Sequence, residues 1–156
     1  MRKVLLRWNV SSLSGINEIE TLMEICERIE VLGHLSMDSK GVTQLVELRI
    51  NEGHKLSEIS ELDSFDVLEK HEEDESGVLV SIRCSHPLAI SAVELSNIYV
   101  YPPYGIDSKT GLEFRIFGLS NSIRSFLEFV RTVMPPDTIS VQTIKNGSQK
   151  DFDFLT

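Results

Sequence analysis

The fold is decided by the segment 41–50, which reads GVTQLVELRI. From Val42 to Ile50 the even positions are apolar except for Gln44, and three of the four odd positions are polar. This period of two is typical of a strand with one buried face. The segment 77–84, GVLVSIRC, shows the same alternation. The two segments therefore predict antiparallel strands that are covered on one face only.

The residues around the first of these strands alternate between strand and helix patterns. The predicted elements are, in order, strand 2–8, helix 16–29, strand 31–37, strand 42–50, short helix 54–62 and strand 64–71. The helix is amphipathic and about four turns long. Gly41 closes the turn between the second and third strands, where a positive φ is often needed. This part of the chain therefore predicts a helix-covered sheet that contains one hairpin.

The same order of elements begins again after Gly77. The predicted elements are strand 78–84, a helix from Pro87 to about Ser96, strand 97–101, loop 104–111, strand 112–117, helix 120–134 and strand 138–145. Proline suits the first position of a helix, because its missing N–H would have no partner there. Ser120 is the expected N-cap of the last helix, and Pro135 ends it.

The order strand–helix–strand–strand–helix–strand thus occurs twice. It predicts an α+β fold of two tandem ferredoxin-like (ACT-like, βαββαβ) repeats, each an antiparallel sheet with helices on one face. The first unit is 1–76, the second is 77–146, and 147–156 form a tail. Two short matches support the repeat: DSK at 38–40 recurs at 107–109, and ELRI at 47–50 resembles EFRI at 113–116.

The packing of the two predicted units is left open by the sequence. The units can stack their sheets face to face, or join their edges into one eight-stranded sheet. In both arrangements the boundary between them is the natural place for a small ligand.

Charge and cysteine content exclude several classes of function. The 156 residues contain 15 Lys and Arg against 24 Asp and Glu, a net charge of -9. Since cationic side chains drive nucleic-acid binding, this segment is not expected to bind DNA or RNA itself. Two cysteines are too few for a secreted disulfide scaffold, and no stretch approaches the length of a membrane span. A cytoplasmic protein that does not contact membranes is therefore expected.

Five side chains are candidates for ligand binding. Cys84 and His86 lie at the end of a strand, where packing of the thiol and helix capping by the histidine are the more common roles. Tyr99, Tyr101 and Tyr104 surround Pro102-Pro103 in an aromatic cluster suited to a pocket wall. The sequence contains no known catalytic motif and no paired spacing of metal ligands. We therefore expect no catalytic residues, no metal site, no cofactor and no enzymatic activity.

The second unit resembles the N-terminal domain of archaeal transcription regulators of the bacterio-opsin-activator type. The resemblance rests on His86-Pro87-Leu88 opening a helix, Tyr101-Pro102-Pro103 closing a strand, and the amphipathic helix 120–134. The final Asp153-Phe154-Leu155-Thr156 resembles the lead-in to that family's helix-turn-helix. The resemblance implies a sensor-like domain that precedes a DNA-binding segment absent from this chain.

The expected function is therefore a regulatory input domain that binds an unknown small-molecule effector. It implies a homodimer, with DNA contacted only through the missing C-terminal part. Two alternatives stay open at this point. One is a small enzyme on a ferredoxin-like scaffold that uses Cys84 or His86. The other is an assembly module that pairs through an exposed strand edge.

Overall fold

A computed structural model of the chain describes residues 2–13, 15–87, 89–90, 98–134 and 140–144. The described strands are β1 (Arg2–Trp8), β2 (Cys26–Asp38), β3 (Gly41–Ile50), β4 (Phe65–Asp74), β5 (Gly77–Cys84), β6 (Ile98–Val100), β7 (Tyr104–Asp107), β8 (Gly111–Gly118) and β9 (Ser140–Ile144). The described helices are α1 (Val10–Leu13), α2 (Asn17–Ile25), a 3-10 helix (Leu56–Glu61) and α3 (Ser120–Val133).

These strands form one antiparallel sheet in the order β4-β5-β3-β2-β7-β8-β1-β9. Strand β6 pairs with residues 116–118 of β8, and β7 pairs with residues 111–113 of the same strand. We call β4, β5, β3 and β2 the first half of the sheet, and the remaining strands the second half. The two halves meet where Arg28–Val31 of β2 pair with Tyr104–Asp107 of β7. We call this pairing the seam.

The prediction of tandem ferredoxin-like (ACT-like) repeats is wrong. Strand β1 lies in the second half, between β8 and β9, and β5 lies in the first half, between β4 and β3. The first strand of each predicted unit has thus exchanged places with that of the other, so neither unit forms a sheet of its own. Alternation along a strand determines which face is buried, but it does not determine which strand lies alongside.

One face of the sheet carries the core, and the helices cover it. The inward positions of β3 and β5 are the predicted even ones, and Val46, Leu48 and Val80 are almost fully buried there. On the second half, α3 packs Phe126 and Val130 over β1 and β8. The two buried clusters meet at the seam, because Tyr104 and Ile106 of β7 pack against both.

Helix α2 is shorter than the sequence predicts. Its spacing continues to Ile29, but the helix ends at Ile25 and β2 begins at Cys26. Asn51 caps this end: its side-chain amide donates to the carbonyl of Glu24 over 2.9 Å, and its backbone N–H donates to the carbonyl of Ile25 over 2.8 Å. Pairing with β3 and β7 therefore overrides the local helical pattern.

Strand β7 lies where the sequence predicts a loop. It contains Gly105, which is unfavourable in a strand but is required at this position. A Cβ at Gly105 would overlap the carbonyl oxygen of Ile29 across the seam and lie 2.8 Å from its carbonyl carbon. The close approach of β7 to β2 therefore depends on this glycine.

Two smaller expectations differ in outcome. Ser120 is not the N-cap of α3, because Leu119 holds that position without a side-chain cap. The two DSK segments do form matching turns: Asp38 accepts from the N–H of Lys40, and Asp107 accepts from the N–H of Lys109, each over 2.8 Å. These turns join β2 to β3 and β7 to β8. The predicted tail 147–156 and most of the helix predicted after Pro87 lie outside the described residues.

The helices that the structure describes include none with the length and apolar character that a transmembrane span requires.

Candidate functional site

A cavity of about 130 Å³ lies against the inward face of the sheet at the seam. Its floor is formed by strands of both halves. Residues that line it include Ile29, Val31, Gln44, Val46, Leu48, Ile82, Cys84, Val100, Tyr104, Gly105, Ile106 and Leu112 from the sheet. The cavity therefore spans the boundary between the two halves of the sheet, which differs from the boundary predicted between 1–76 and 77–146.

The cover of the cavity is formed by the two connections that cross between the halves. Helix α2 leads from β1 in the second half to β2 in the first, and it contributes Ile19 and Leu22 to the lining. The chain that leaves β5 toward β6 crosses in the other direction and contributes His86 and Ala89. A helical turn begins there, since the N–H of Ile90 donates to the carbonyl of His86 over 3.2 Å. An occupant would therefore contact both crossing connections.

The lining is almost entirely apolar, with one polar pair at its centre. Gln44 is only 7% exposed, although its neighbours on the inward face of β3 are Val42 and Val46. Its side chain shares a hydrogen bond with the hydroxyl of Tyr104, which reaches it from β7. Burial raises the pKa of Tyr104 above its usual value, so the phenol stays neutral at physiological pH.

A second polar group lies where β5 ends. The carboxylate of Glu18 on α2 accepts hydrogen bonds from the backbone N–H and the hydroxyl of Ser64, both over 3.0 Å. The N–H of Ser85 donates to the carbonyl of Ser64 over 2.9 Å. These bonds tie the start of α2 to the start of β4 and the end of β5, and they hold a carboxylate near Cys84 and His86.

Burial dominates the ionisation of the two groups beside Glu18. It raises the pKa of the Cys84 thiol to about 11, against a hydrogen bond from the backbone N–H of His86. It also lowers the pKa of His86, and the Glu18 carboxylate acts in the opposite direction. At neutral pH the thiol is protonated, and a protonated thiol is a poor nucleophile. This geometry does not favour the alternative in which Cys84 performs catalysis.

The five sequence-predicted site residues separate into two groups. Cys84, His86 and Tyr104 line the seam cavity. Tyr99 and Tyr101 do not; their rings contact each other with centroids 5.6 Å apart. Tyr101 lies beneath the ammonium of Lys3, 5.2 Å from its ring centroid. Tyr99 lines a second cavity, of about 320 Å³, together with His34 and Tyr104.

The most informative lining residue that sequence reasoning missed is Gln44. Its signal was present, because it is the one polar residue at the even positions of an otherwise apolar strand pattern. Glu18 gave no such signal, since it is one of several acidic residues on an amphipathic helix. Within the described ranges, no three His, Cys, Asp or Glu side chains group closely enough to hold a metal ion.

The buried thiols predict a loss of stability in alkali. Burial raises the folded-state pKa of Cys84 to about 11 and that of Cys26 to about 12, from an ordinary value of 9.0. The contribution of the two buried thiols to the free energy of unfolding is complete below about pH 9. It is lost as pH rises toward their folded-state pKa values, because the thiols lose their protons at lower pH in the unfolded chain than in the folded one. Between about pH 8 and about pH 10.5 we expect a loss of roughly 1–2 kcal/mol per thiol.

Urea unfolding at those two pH values, for the wild type and for the double variant Cys26→Ala/Cys84→Ala, measures this loss. The variant is less stable at pH 8 but declines less with pH. An identical decline in both proteins would show that the thiols do not contribute to it.

Comparison of the chain with protein-family models, with curated proteins and with solved structures finds no match in any of the three.

Proposed function

We propose that this protein is a ligand-binding input domain, in which a small, mainly apolar molecule occupies the seam cavity. The observation that carries the proposal is the position of the cavity. It lies between two halves of the sheet and beneath both connections that cross between them. Most apolar interiors are close-packed, so a cavity of about 130 Å³ at such a boundary is unusual.

The position of the cavity supports a regulatory role. An occupant would touch β3 of the first half, β7 of the second half, and both crossing connections. A ligand shifts a conformational equilibrium only if it binds one arrangement better than another. A molecule that contacts every element of the junction has that differential affinity whenever the halves change their relative position. Ligand occupancy would thereby be converted into a change in the shape of the domain.

Stabilisation by small ring compounds tests the proposal. A ligand present at 100 times its dissociation constant adds about 2.7 kcal/mol to the free energy of unfolding. For a chain of this size, that corresponds to a rise in Tm of roughly 5–10 °C. We expect such a rise with phenol or toluene at saturating concentration, measured by thermal unfolding followed by circular dichroism.

A matched pair of variants locates the bound molecule. Val46→Phe places a ring in the cavity, and the stabilisation by either compound should disappear. Leu45→Phe makes a related change at the next residue, on the opposite face of β3, and should retain it. Ala89→Leu narrows the cavity from the cover and gives a second test if Val46→Phe fails to fold. Equal stabilisation of all these proteins would place binding elsewhere and contradict the proposal.

The link to transcription is the part of the proposal that rests on the resemblance. A regulator of that type would carry its DNA-binding segment on the same polypeptide, beyond Thr156. The net charge of -9 is consistent with a sensor body that does not contact DNA itself. The reading frame after Thr156 tests this directly. A basic helix-turn-helix segment supports the regulator, and its absence removes the main reason for proposing one.

A further inference from the structure

We infer that the seam cavity selects neutral, single-ring molecules that carry one hydrogen-bonding group, which the side chains of Gln44 and Tyr104 receive. This inference rests on the proposed function and adds the chemical class of the ligand.

Gln44 is a polar residue in a buried, otherwise apolar row. The even positions of β3 around it, Val42, Val46 and Leu48, are buried and apolar, and they pair with equally apolar residues of β5 or with Cys84. A side-chain amide in such a row costs free energy unless it is hydrogen-bonded. It offers two N–H donors and one carbonyl acceptor. The bond with Tyr104 uses only part of this capacity, and both side chains line the cavity.

The neutral lining also restricts the charge of the ligand. The ionisable side chains among the described lining residues are Cys84, His86 and Tyr104. Burial raises the pKa of Cys84 and Tyr104 and lowers that of His86, so all three favour their neutral forms. An ionised ligand would lose its hydration without gaining a partner of opposite charge in the lining. Because Glu18 lies close to Cys84 and His86, an anion is disfavoured further.

The volume of the cavity restricts the size of the ligand. The cavity volume is about 130 Å³. An engineered apolar cavity of about 150 Å³ is known to hold benzene. The seam cavity is slightly smaller, so a single six-membered ring fills it, and one small substituent must lie toward its partly open side. The apolar lining admits the ring, and the side chains of Gln44 and Tyr104 are placed to form a hydrogen bond with its substituent.

Four probes of similar size separate these properties. Phenol is neutral and forms hydrogen bonds, toluene is neutral and does not, benzoate is an anion and benzylamine is a cation at neutral pH. We expect phenol to bind wild-type protein at least tenfold more tightly than toluene, and both ions to bind more weakly than phenol by at least the same factor. Isothermal titration calorimetry or ligand-observed NMR measures the affinities.

Variants of the polar pair connect this preference to its cause. In Gln44→Met, which nearly preserves side-chain volume, phenol should lose its tenfold advantage while toluene binding changes less than threefold. Tyr104→Phe should also reduce the advantage of phenol over toluene. This variant provides the test if Gln44→Met does not fold. Thr43→Val removes a polar group from the outer face of the same strand and should preserve the preference.

The outcomes distinguish this inference from the proposed function. If toluene and phenol bind with equal affinity to the wild type, and again to Gln44→Met, the cavity is still a binding site. The Gln44–Tyr104 pair would then have no role in selecting the ligand. Tighter binding of benzoate or benzylamine would overturn neutrality. If none of the four probes binds, the proposed function fails as well.

Discussion

Replacement of Gly105 by alanine is expected to lower the free energy of unfolding by about 3 kcal/mol. The new Cβ would overlap the carbonyl oxygen of Ile29, and backbone atoms cannot rotate away as a flexible side chain can. The strands of the seam must therefore separate, which weakens the four residue pairs that join the two halves. A loss of this size lowers Tm by roughly 10 °C in a chain of this length. Urea unfolding and thermal unfolding both measure it.

Gly33→Ala is the matched control for this change. Gly33 lies on β2, just beyond the seam, and an added Cβ would meet no atom within 4 Å. The expected change is within about 0.5 kcal/mol of wild type. Comparable destabilisation by the two substitutions would mean that the glycine effect is a general property of β2, and that the close approach at Gly105 is not its cause.

Phe126→Ala is expected to cost about 3–5 kcal/mol. Phe126 is fully buried in the cluster that α3 forms with β1 and β8, and its removal leaves a void beneath the helix. Leu6 and Ile116 of these strands belong to the same cluster. Since β1 reaches this cluster from the start of the chain, the loss also tests whether β1 packs in the second half.

Phe129→Ala removes the same side chain one turn away on α3. Phe129 is only partly buried, so the expected cost is about 1 kcal/mol. Chemical denaturation of the two variants gives the difference. If Phe129→Ala lost more stability than Phe126→Ala, the face of α3 that contacts the sheet would be wrongly assigned.

The sequence predicts local structure well wherever the burial of a strand follows its alternation. The inward rows of β3 and β5 lie at the predicted positions, and Cys84 is buried in one of them as the packing interpretation expected. Three of the five candidate residues, Cys84, His86 and Tyr104, line the cavity, and each lies close to a strand end and to a proline. Such residues lie at the boundaries where cavities form.

The exchange of β1 and β5 could not be predicted in the same way. Both strands are short and apolar, and similar elements adjoin them in the chain. The alternation of each strand is compatible with a place in either half of the sheet. The choice of neighbour depends on contacts between residues far apart in the chain, which a pattern of period two does not record. Strand β7 was missed for a related reason: Gly105 opposes strand formation locally, while the approach to Ile29 requires it.

The cavity is a consequence of that exchange. Because β1 and β5 lie in opposite halves, the chain must cross the seam twice, once through α2 and once between β5 and β6. Ile19 and Leu22 of α2, and His86 and Ala89 of the segment after β5, line the cavity together with the strands. Separate units would have had no such crossings. The proposed ligand site therefore depends directly on the strand order that corrects the sequence-based prediction.

An apolar, ligand-sized cavity at the seam is central to the proposed function. A crystal structure determined under xenon pressure tests it most directly, because xenon enters empty apolar cavities of this size. The account predicts one ordered xenon atom between Val46 and Leu22, in contact with residues of both halves, and loss of that atom in Val46→Phe. Tightly packed side chains at this position, with no xenon in the wild-type protein, would contradict it.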